Sequence, residues 1–192
     1  MTTAWEIAPV GRAAEIAAGL AAGVPEIETE RLRLRAPRIG DFAAYAEIFC
    51  SDRAVHIGGP MSREAAFRDF AVAVAGWMLR GHGLWSVERR ADGVLLGFLP
   101  LHIEAGDPAR EIGYLLCEAA EGHGYAAEAA RAARDFAYGT LGWRGVVSYV
   151  DPANTRSIAT AERLGARRDP EARHPLDPDL MIFRHPAPEA LP

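Results

Sequence analysis

The sequence predicts an α/β (α+β) domain with a mixed sheet. An antiparallel meander comes first, then a strand–helix–strand crossover, with helices on both faces. Three observations carry this. Alternating segments separated by Gly, Asp and Pro turns run through residues 84–117, the pattern of antiparallel strands. An alanine-rich helical stretch, 122–141, then joins that last strand to the apolar run 145–150, as a crossover between parallel neighbours would. Apolar residues at 49% and charged residues at 24% suit one globular core.

Taken in order, residues 1–25 read as an N-terminal helical extension. Residues 13–22 are rich in alanine, with Ile16 and Leu20 on one face, and Gly23 and Pro25 stop the helix. Such an arm suits either a loosely docked helix or a contact in a homodimer. Residues 26–186 form the main domain, and 187–192 a tail. Residues 27–35 alternate as a single half-buried strand with Leu32 and Leu34 on one side. Asp41 is placed to cap a helix carrying Phe42, Tyr45, Ile48 and Phe49. Ser62 caps a second helix, striped by Phe67, Phe70, Val74, Trp77 and Met78.

Strands 84–89 and 94–103 flank Asp92-Gly93, a dipeptide that favours a tight hairpin because its turn needs positive φ. Gly106-Asp107-Pro108 turns the chain into strand 110–117. Beyond the crossover helix and strand 145–150, Asn154 opens a short helix closed by Gly165. A proline-rich loop, 170–178, precedes a last strand at 180–183.

The net charge of -5 lacks the basic footprint of nucleic-acid or anionic-membrane binding. Cys50 and Cys117 stand apart, and the six histidines have no metal-ligand spacing. Neither a disulfide framework nor a metal is expected, and a cytoplasmic compartment is. No run approaches the roughly 18 apolar residues of a spanning helix. No Gly-x-Ser-x-Gly elbow occurs.

The chemistry concentrates in residues 111–157. Gly122 and Gly124 lack Cβ atoms where a backbone can approach a ligand closely. The first amides of the helix that follows have no internal partners, so a pyrophosphate suits that position. Gly122-His123-Gly124-Tyr125-Ala126-Ala127 also satisfies the dinucleotide pattern GxGxxA, with Asp151 as the ribose acid. Against that reading, residues 117–121 separate the glycines from their strand. An antiparallel meander precedes them, and the chain after Asp151 is too short for the rest of a doubly wound domain.

Residues 111–165 resemble the cofactor core of the GCN5-related N-acetyltransferase (GNAT) superfamily, in the branch of the ribosomal-protein N-terminal acetyltransferases. The family's loop, Gln/Arg-x-x-Gly-x-Gly/Ala, is matched by Glu121-Gly122-His123-Gly124-Tyr125-Ala126. Glu111-Ile112-Gly113-Tyr114 matches the preceding strand, and Ala126-Ala127-Glu128-Ala129 the helix. Asn154, Ser157, Leu164 and Gly165 match a later Asn-x-x-Ser and Leu-Gly. Glu121 departs from the usual Gln or Arg, and a carboxylate there is expected to weaken the grip on a diphosphate.

The resemblance implies acetyl transfer from acetyl-CoA to a primary amine, of a peptide N-terminus or a small molecule, by direct attack in a ternary complex. It implies cofactor contacts from Leu115, Leu116, Glu121, Gly122, His123, Gly124, Tyr125, Ala126, Asn154 and Ser157. Leu116 N–H is the implied oxyanion donor. Glu111 is the candidate base, acting through water. Many relatives protonate the departing thiolate with a tyrosine after the second helix. No tyrosine follows Tyr149 here, and Ser157 is the candidate in its place. His102 is a candidate for the acceptor pocket, and Trp77 and Trp85 for the core. A non-catalytic acyl-CoA-binding protein of the same fold is the alternative.

Overall fold

The computed structural model describes residues 3–190. Residues 1, 2, 191 and 192, the outer ends of the expected arm and tail, lie outside the described residues. The helices are α1 (Gly11–Ala21), α2 (Phe42–Phe49), α3 (Arg63–Arg80), α4 (Tyr125–Gly139) and α5 (Thr155–Arg163). The strands are β1 (Ile27–Glu28), β2 (Leu32–Arg35), β3 (Leu84–Arg89), β4 (Leu95–His102), β5 (Glu111–Ile112), β6 (Leu115–Leu116), β7 (Val147–Val150), β8 (Arg167–Asp169) and β9 (Met181–Arg184).

They form one sheet in the order β1-β2-β3-β4-β5-β7-β9-β8, with β6 pairing β4 further along the same chain as β5. β5 and β7 run parallel, joined through α4, and the other pairings are antiparallel. The expected mixed architecture is therefore present. Helices α2 and α3 cover one face through Phe42, Tyr45, Phe49 and Phe70 against Leu84 and Phe98. On the other face the small side chains Ala129, Ala130, Ala133 and Ala137 let α4 lie close over Leu34, Val87, Leu99 and Ile112.

Several local expectations are corrected. Residues 27–35 are two short antiparallel strands, with Ile27 opposite Leu34. The turn between them is polar and is fastened to α4. Glu128 accepts hydrogen bonds from Thr29 Oγ1 (2.5 Å), Arg31 N (3.0 Å) and Arg31 Nε (2.6 Å). The loop at Asp92-Gly93 is wider than a two-residue turn. Arg89 N–H reaches Val94 O at 2.9 Å, leaving four residues between them, with Gly93 at φ 71°. Met78 points outward, 72% exposed. Ile16 and Leu20 are also exposed, and α1 buries none of its side chains. β8 escaped the sequence reading because its Arg167 and Arg168 are exposed on an edge strand, where no apolar alternation is required.

Asp41 does not cap α2. A 3-10 turn, Ile39–Asp41, precedes that helix, and the Asp41 side chain turns into the interior. Arg35 grips it with two bonds, Nη1 to Oδ2 at 2.7 Å and Nη2 to Oδ1 at 3.0 Å. Arg38 N–H (2.8 Å) and Ser86 Oγ–H (2.7 Å) also donate to it. Arg35 Nε donates to Glu88 at 2.5 Å. Burial alone would raise the Asp41 pKa, but these donors outweigh it and hold the carboxyl below its ordinary value. The cluster ties β2, β3 and the entry to α2 together.

A second buried polar group lies between β7 and β9. Ser148 Oγ donates its one hydrogen to Ile112 O at 2.7 Å. It must therefore accept from His185 Nε2–H at 3.0 Å. Burial, helped by the charge of Arg134, lowers the His185 pKa to about 4.

Two measurements test these networks. Asp41→Ala leaves Arg35 buried with half its partners and should lower the unfolding free energy by about 3–5 kcal/mol, read from urea denaturation. For His185, the folded pKa lies below the unfolded one. Its contribution is complete above the unfolded value and is lost as pH falls through the folded one. The stability advantage of wild type over His185→Gln should shrink by about 3 kcal/mol between pH 7 and pH 4.

Candidate functional site

The site begins where one strand keeps one neighbour and leaves the other. The stretch 111–116 stays in a single register on β4: Ile112 opposite Leu101, Leu115 opposite Phe98, Leu116 opposite Gly97. The ladder is interrupted at Pro100, which has no N–H to give. Gly113 still donates to Pro100 O at 3.0 Å. A Cβ at Gly113 would lie 2.9 Å from the proline ring.

On its other edge the same stretch pairs β7 only at Glu111 opposite Val147. A continuing parallel ladder would send Tyr149 N–H to the Ile112 carbonyl. Instead Tyr149 N–H goes to the Glu111 carboxylate at 3.2 Å, and Ile112 O is taken by Ser148 Oγ. Two side chains thus close off the ladder, and β6 and β7 diverge.

Gly113 and Cys117 direct their N–H groups to Pro100 and Leu96 on β4. Alternation along the strand then turns Leu116 N–H to the opposite edge, toward the gap. That gap is a cleft of about 830 Å³. The loop 121–124 and the first turn of α4 form one wall. The first turn of α5 forms another, and the 3-10 turn Asp52–His56 a third.

Gly122 and Gly124 both have φ of 79°, a backbone that other residues rarely adopt. A Cβ on Gly122 would meet nothing within 4 Å, so its glycine answers to the loop's conformation and not to crowding. Asn154 Oδ1 accepts from Ser157 N–H at 3.1 Å and caps α5. Both helix starts therefore face one cavity with their partial positive charge.

Of the residues expected at a cofactor, Leu115, Leu116, Glu121, Gly122, His123, Gly124, Ala126, Asn154 and Ser157 line this cleft. Tyr125 does not. The residue is 8% exposed, its ring packed with the core beneath the Arg31 guanidinium at 4.8 Å, so only its backbone serves the helix start. Glu111 is also outside the cleft wall. One of its oxygens holds Tyr149 N–H, and the other lies 3.1 Å from His102 Nε2. Burial would lower the His102 pKa, but Glu111, Glu104 and Asp107 outweigh it and raise the value above that of a free imidazole. His102 and Glu111 sit beside Tyr149, whose ring meets His174 edge-on at 4.8 Å. Burial raises the Tyr149 pKa to about 12. Trp77 and Trp85 pack against one another in the core, 4.5 Å between ring centroids.

Three cleft residues were given no cofactor role by sequence. Tyr114 lines the wall, and its hydroxyl donates to Ser157 O at 2.8 Å. Burial raises its pKa and keeps the phenol protonated. Arg53 and Arg156 both bind Glu121. The alternation of strand 111–116 could have placed Tyr114 on the Leu116 side. Nothing in the sequence brings residue 53 to residue 121.

The chain matches the family model described as an acetyltransferase (GNAT) domain over residues 31–167. It is 39% identical to a solved acetyltransferase from Agrobacterium tumefaciens str. C58, with a TM-score of 0.81, covering 85% of this chain and 95% of that one. The fold also matches RimL, a ribosomal L7/L12 alpha-N-protein acetyltransferase solved with coenzyme A, at 19% identity. There the TM-score is 0.67, over 87% of this chain and all (100%) of that one. Mycobacterium smegmatis RimJ, solved with CoA-disulfide, matches at 21% identity and a TM-score of 0.65, over 84% of each chain. An uncharacterized Bacillus subtilis (strain 168) protein, YkkB, is 36% identical over 91 residues. That match covers 45% of this chain and 52% of YkkB, so the chain spans about half the length of the curated relative.

The pairing of β6 on β4 includes a close crossing at Gly97, where a Cβ would lie 2.0 Å from Leu115 O and 2.8 Å from Leu116 Cα. Gly97→Ala should push β6 off β4 and destabilise the fold by about 1–3 kcal/mol. Chemical denaturation reads the stability. Amide hydrogen exchange at Cys117, which bonds Leu96 O, should accelerate with it.

Proposed function

Since the chain belongs to the GNAT acetyltransferase family, we propose that it transfers an acetyl group from acetyl-CoA to a primary amine by direct attack with both substrates bound. The observation that carries this is the Leu116 N–H, turned by the strand's alternation into a cleft onto which two helix N-termini open.

The residues present fit the co-substrate. The glycine loop 122–124 and the α4 amides would hold its phosphates, as backbone donors at a helix start do. Leu115, Leu116 and Asn154 would line its pantetheine arm. When bound, acetyl-CoA supplies an activated acyl group on a thiol leaving group. Leu116 N–H is then the donor for the oxygen that gains charge, a role worth roughly 3 kcal/mol in other acyl-transfer sites. Ser157 and Tyr114 both present to the wall where the departing thiol would need a proton, and the phenol of Tyr114 is kept protonated by burial.

Glu111 is the proposed base, working with His102 and through water, because its carboxylate is not part of the cleft wall. An acceptor must arrive as a neutral amine. At pH 7 an α-amine is neutral about 14% of the time and a lysine about 0.04%. A protein N-terminus therefore asks less of the site, and RimL is by name an alpha-N-protein acetyltransferase. A small-molecule amine remains in the same proposal. Among the described residues no helix is long and apolar enough to cross a membrane, and both cysteines are free thiols; a cytoplasmic location is part of the same proposal.

Thiol release from acetyl-CoA, followed over a panel of amines and peptide N-termini, tests the proposal. Glu111→Gln keeps an acceptor for Tyr149 N–H and should lower kcat by about 10²-fold or more, with acetyl-CoA affinity unchanged. Tight acetyl-CoA binding with no thiol release on any acceptor would instead favour the non-catalytic acyl-CoA binder, a reading that the position of Glu111 outside the cleft keeps in play.

A further inference from the structure

Glu121 occupies the position where the sequence pattern expects Gln or Arg, and its surroundings change what that carboxylate means. Arg53 Nη2 donates to Oε1 at 2.5 Å and to Leu116 O at 3.0 Å. Arg156 Nη1 donates to Oε2. The two arginines come from distant parts of the chain, one from the turn Asp52–His56 and one from the first turn of α5. All three side chains line the cleft. A carboxylate with a guanidinium on each oxygen has the arrangement in which arginines hold an anion. Stability is a weak reason for it, because pairs this exposed contribute only about 0–1 kcal/mol.

The charges on the cleft wall sharpen the point. Arg53, Arg156 and Arg163 are matched by Asp52, Glu118 and Glu121. A ligand bearing several phosphate charges meets a wall with no net charge from these groups, and a carboxylate at the first position of the glycine loop. The conflict disappears if the arginines exchange one anion for another.

We propose that Glu121 is the resident counter-ion of Arg53 and Arg156, and that the phosphate groups of CoA take both guanidinium groups from it on binding. This rests on the acetyl-CoA reading of the cleft and names the side chains that would recognise the phosphates. The exchange does not require the Asp52–His56 turn to leave. Arg53 keeps its bond to Leu116 O, and His56 Nδ1 stays 2.7 Å from Asp151 at the end of β7. Glu121 thereby competes with the ligand for the arginines, and its removal strengthens binding.

The experiment is isothermal titration of the full chain with CoA and with pantetheine, which lacks the phosphates, in wild type, Glu121→Gln, Arg156→Ala and the double variant. Arg156 is 78% exposed, so its removal should leave folding intact, which a thermal melt of each variant checks. Glu121→Gln should tighten CoA about fivefold and Arg156→Ala should weaken it by a similar factor, both effects shrinking at high salt. Pantetheine affinity should move less than about twofold in either variant. In the double variant the gain from Glu121→Gln should be reduced, because one of the freed cations is gone. Weaker CoA binding by Glu121→Gln would overturn the exchange and make Glu121 a positioning group for the arginines. Unchanged CoA affinity in all variants would overturn the exchange alone. Failure of wild type to bind CoA at all would remove the cofactor reading and this inference with it.

Discussion

The cleft exists because the strand 111–116 holds β4 along its whole length and β7 at one end only. Sheets normally gain from every ladder bond they can make, so an opened edge needs its polar groups satisfied in another way. Here Glu111 and Ser148 supply side-chain partners at the fork, and Arg53 takes the Leu116 carbonyl beyond it. The same alternation turns the N–H groups of Tyr114 and Leu116 to the gap. A polar backbone edge that would otherwise invite another strand is left open to the cleft, where we propose that it meets the acyl group.

This arrangement gives Glu111 a structural duty beside the chemical one proposed for it. Its two oxygens are shared between a β7 amide and His102. The side chain that ends the ladder is therefore held in place by the ladder it ends. His102, Asp107, Tyr149 and His174 extend that polar group along the sheet. None of the four lines the cleft.

Much of the site was legible because its signals are local. A glycine loop, a helix start and an Asn cap are each set by neighbouring residues, and the cap at Asn154 and the loop at 122–124 stand where the sequence put them. The crossover helix was equally plain from its small residues. What the sequence concealed is long-range. Asp41 reads as a helix cap because caps and buried ion-pair carboxylates use the same side chain, and only the fold brings Arg35 and Ser86 to it. The strand 27–35 alternates correctly, yet Glu128, far along the chain, fastens its middle as a turn. Tyr125 belongs to a cofactor motif by position, but the first turn of α4 rotates its ring into the core. The departure at Glu121 looked like a defect because its two arginines are invisible until the chain is folded.

Pro100 and Gly113 face each other across the ladder with no room between them. Neither residue touches the cleft wall, yet together they sit beside the fork that opens it. The consequence is an asymmetry in how this chain can drift. Proline can be exchanged for a smaller or more flexible residue while glycine stays, and the ladder merely regains a bond. Glycine cannot change first, because any side chain would strike the ring. The route by which the strand beneath the site accepts new sequence therefore has a direction.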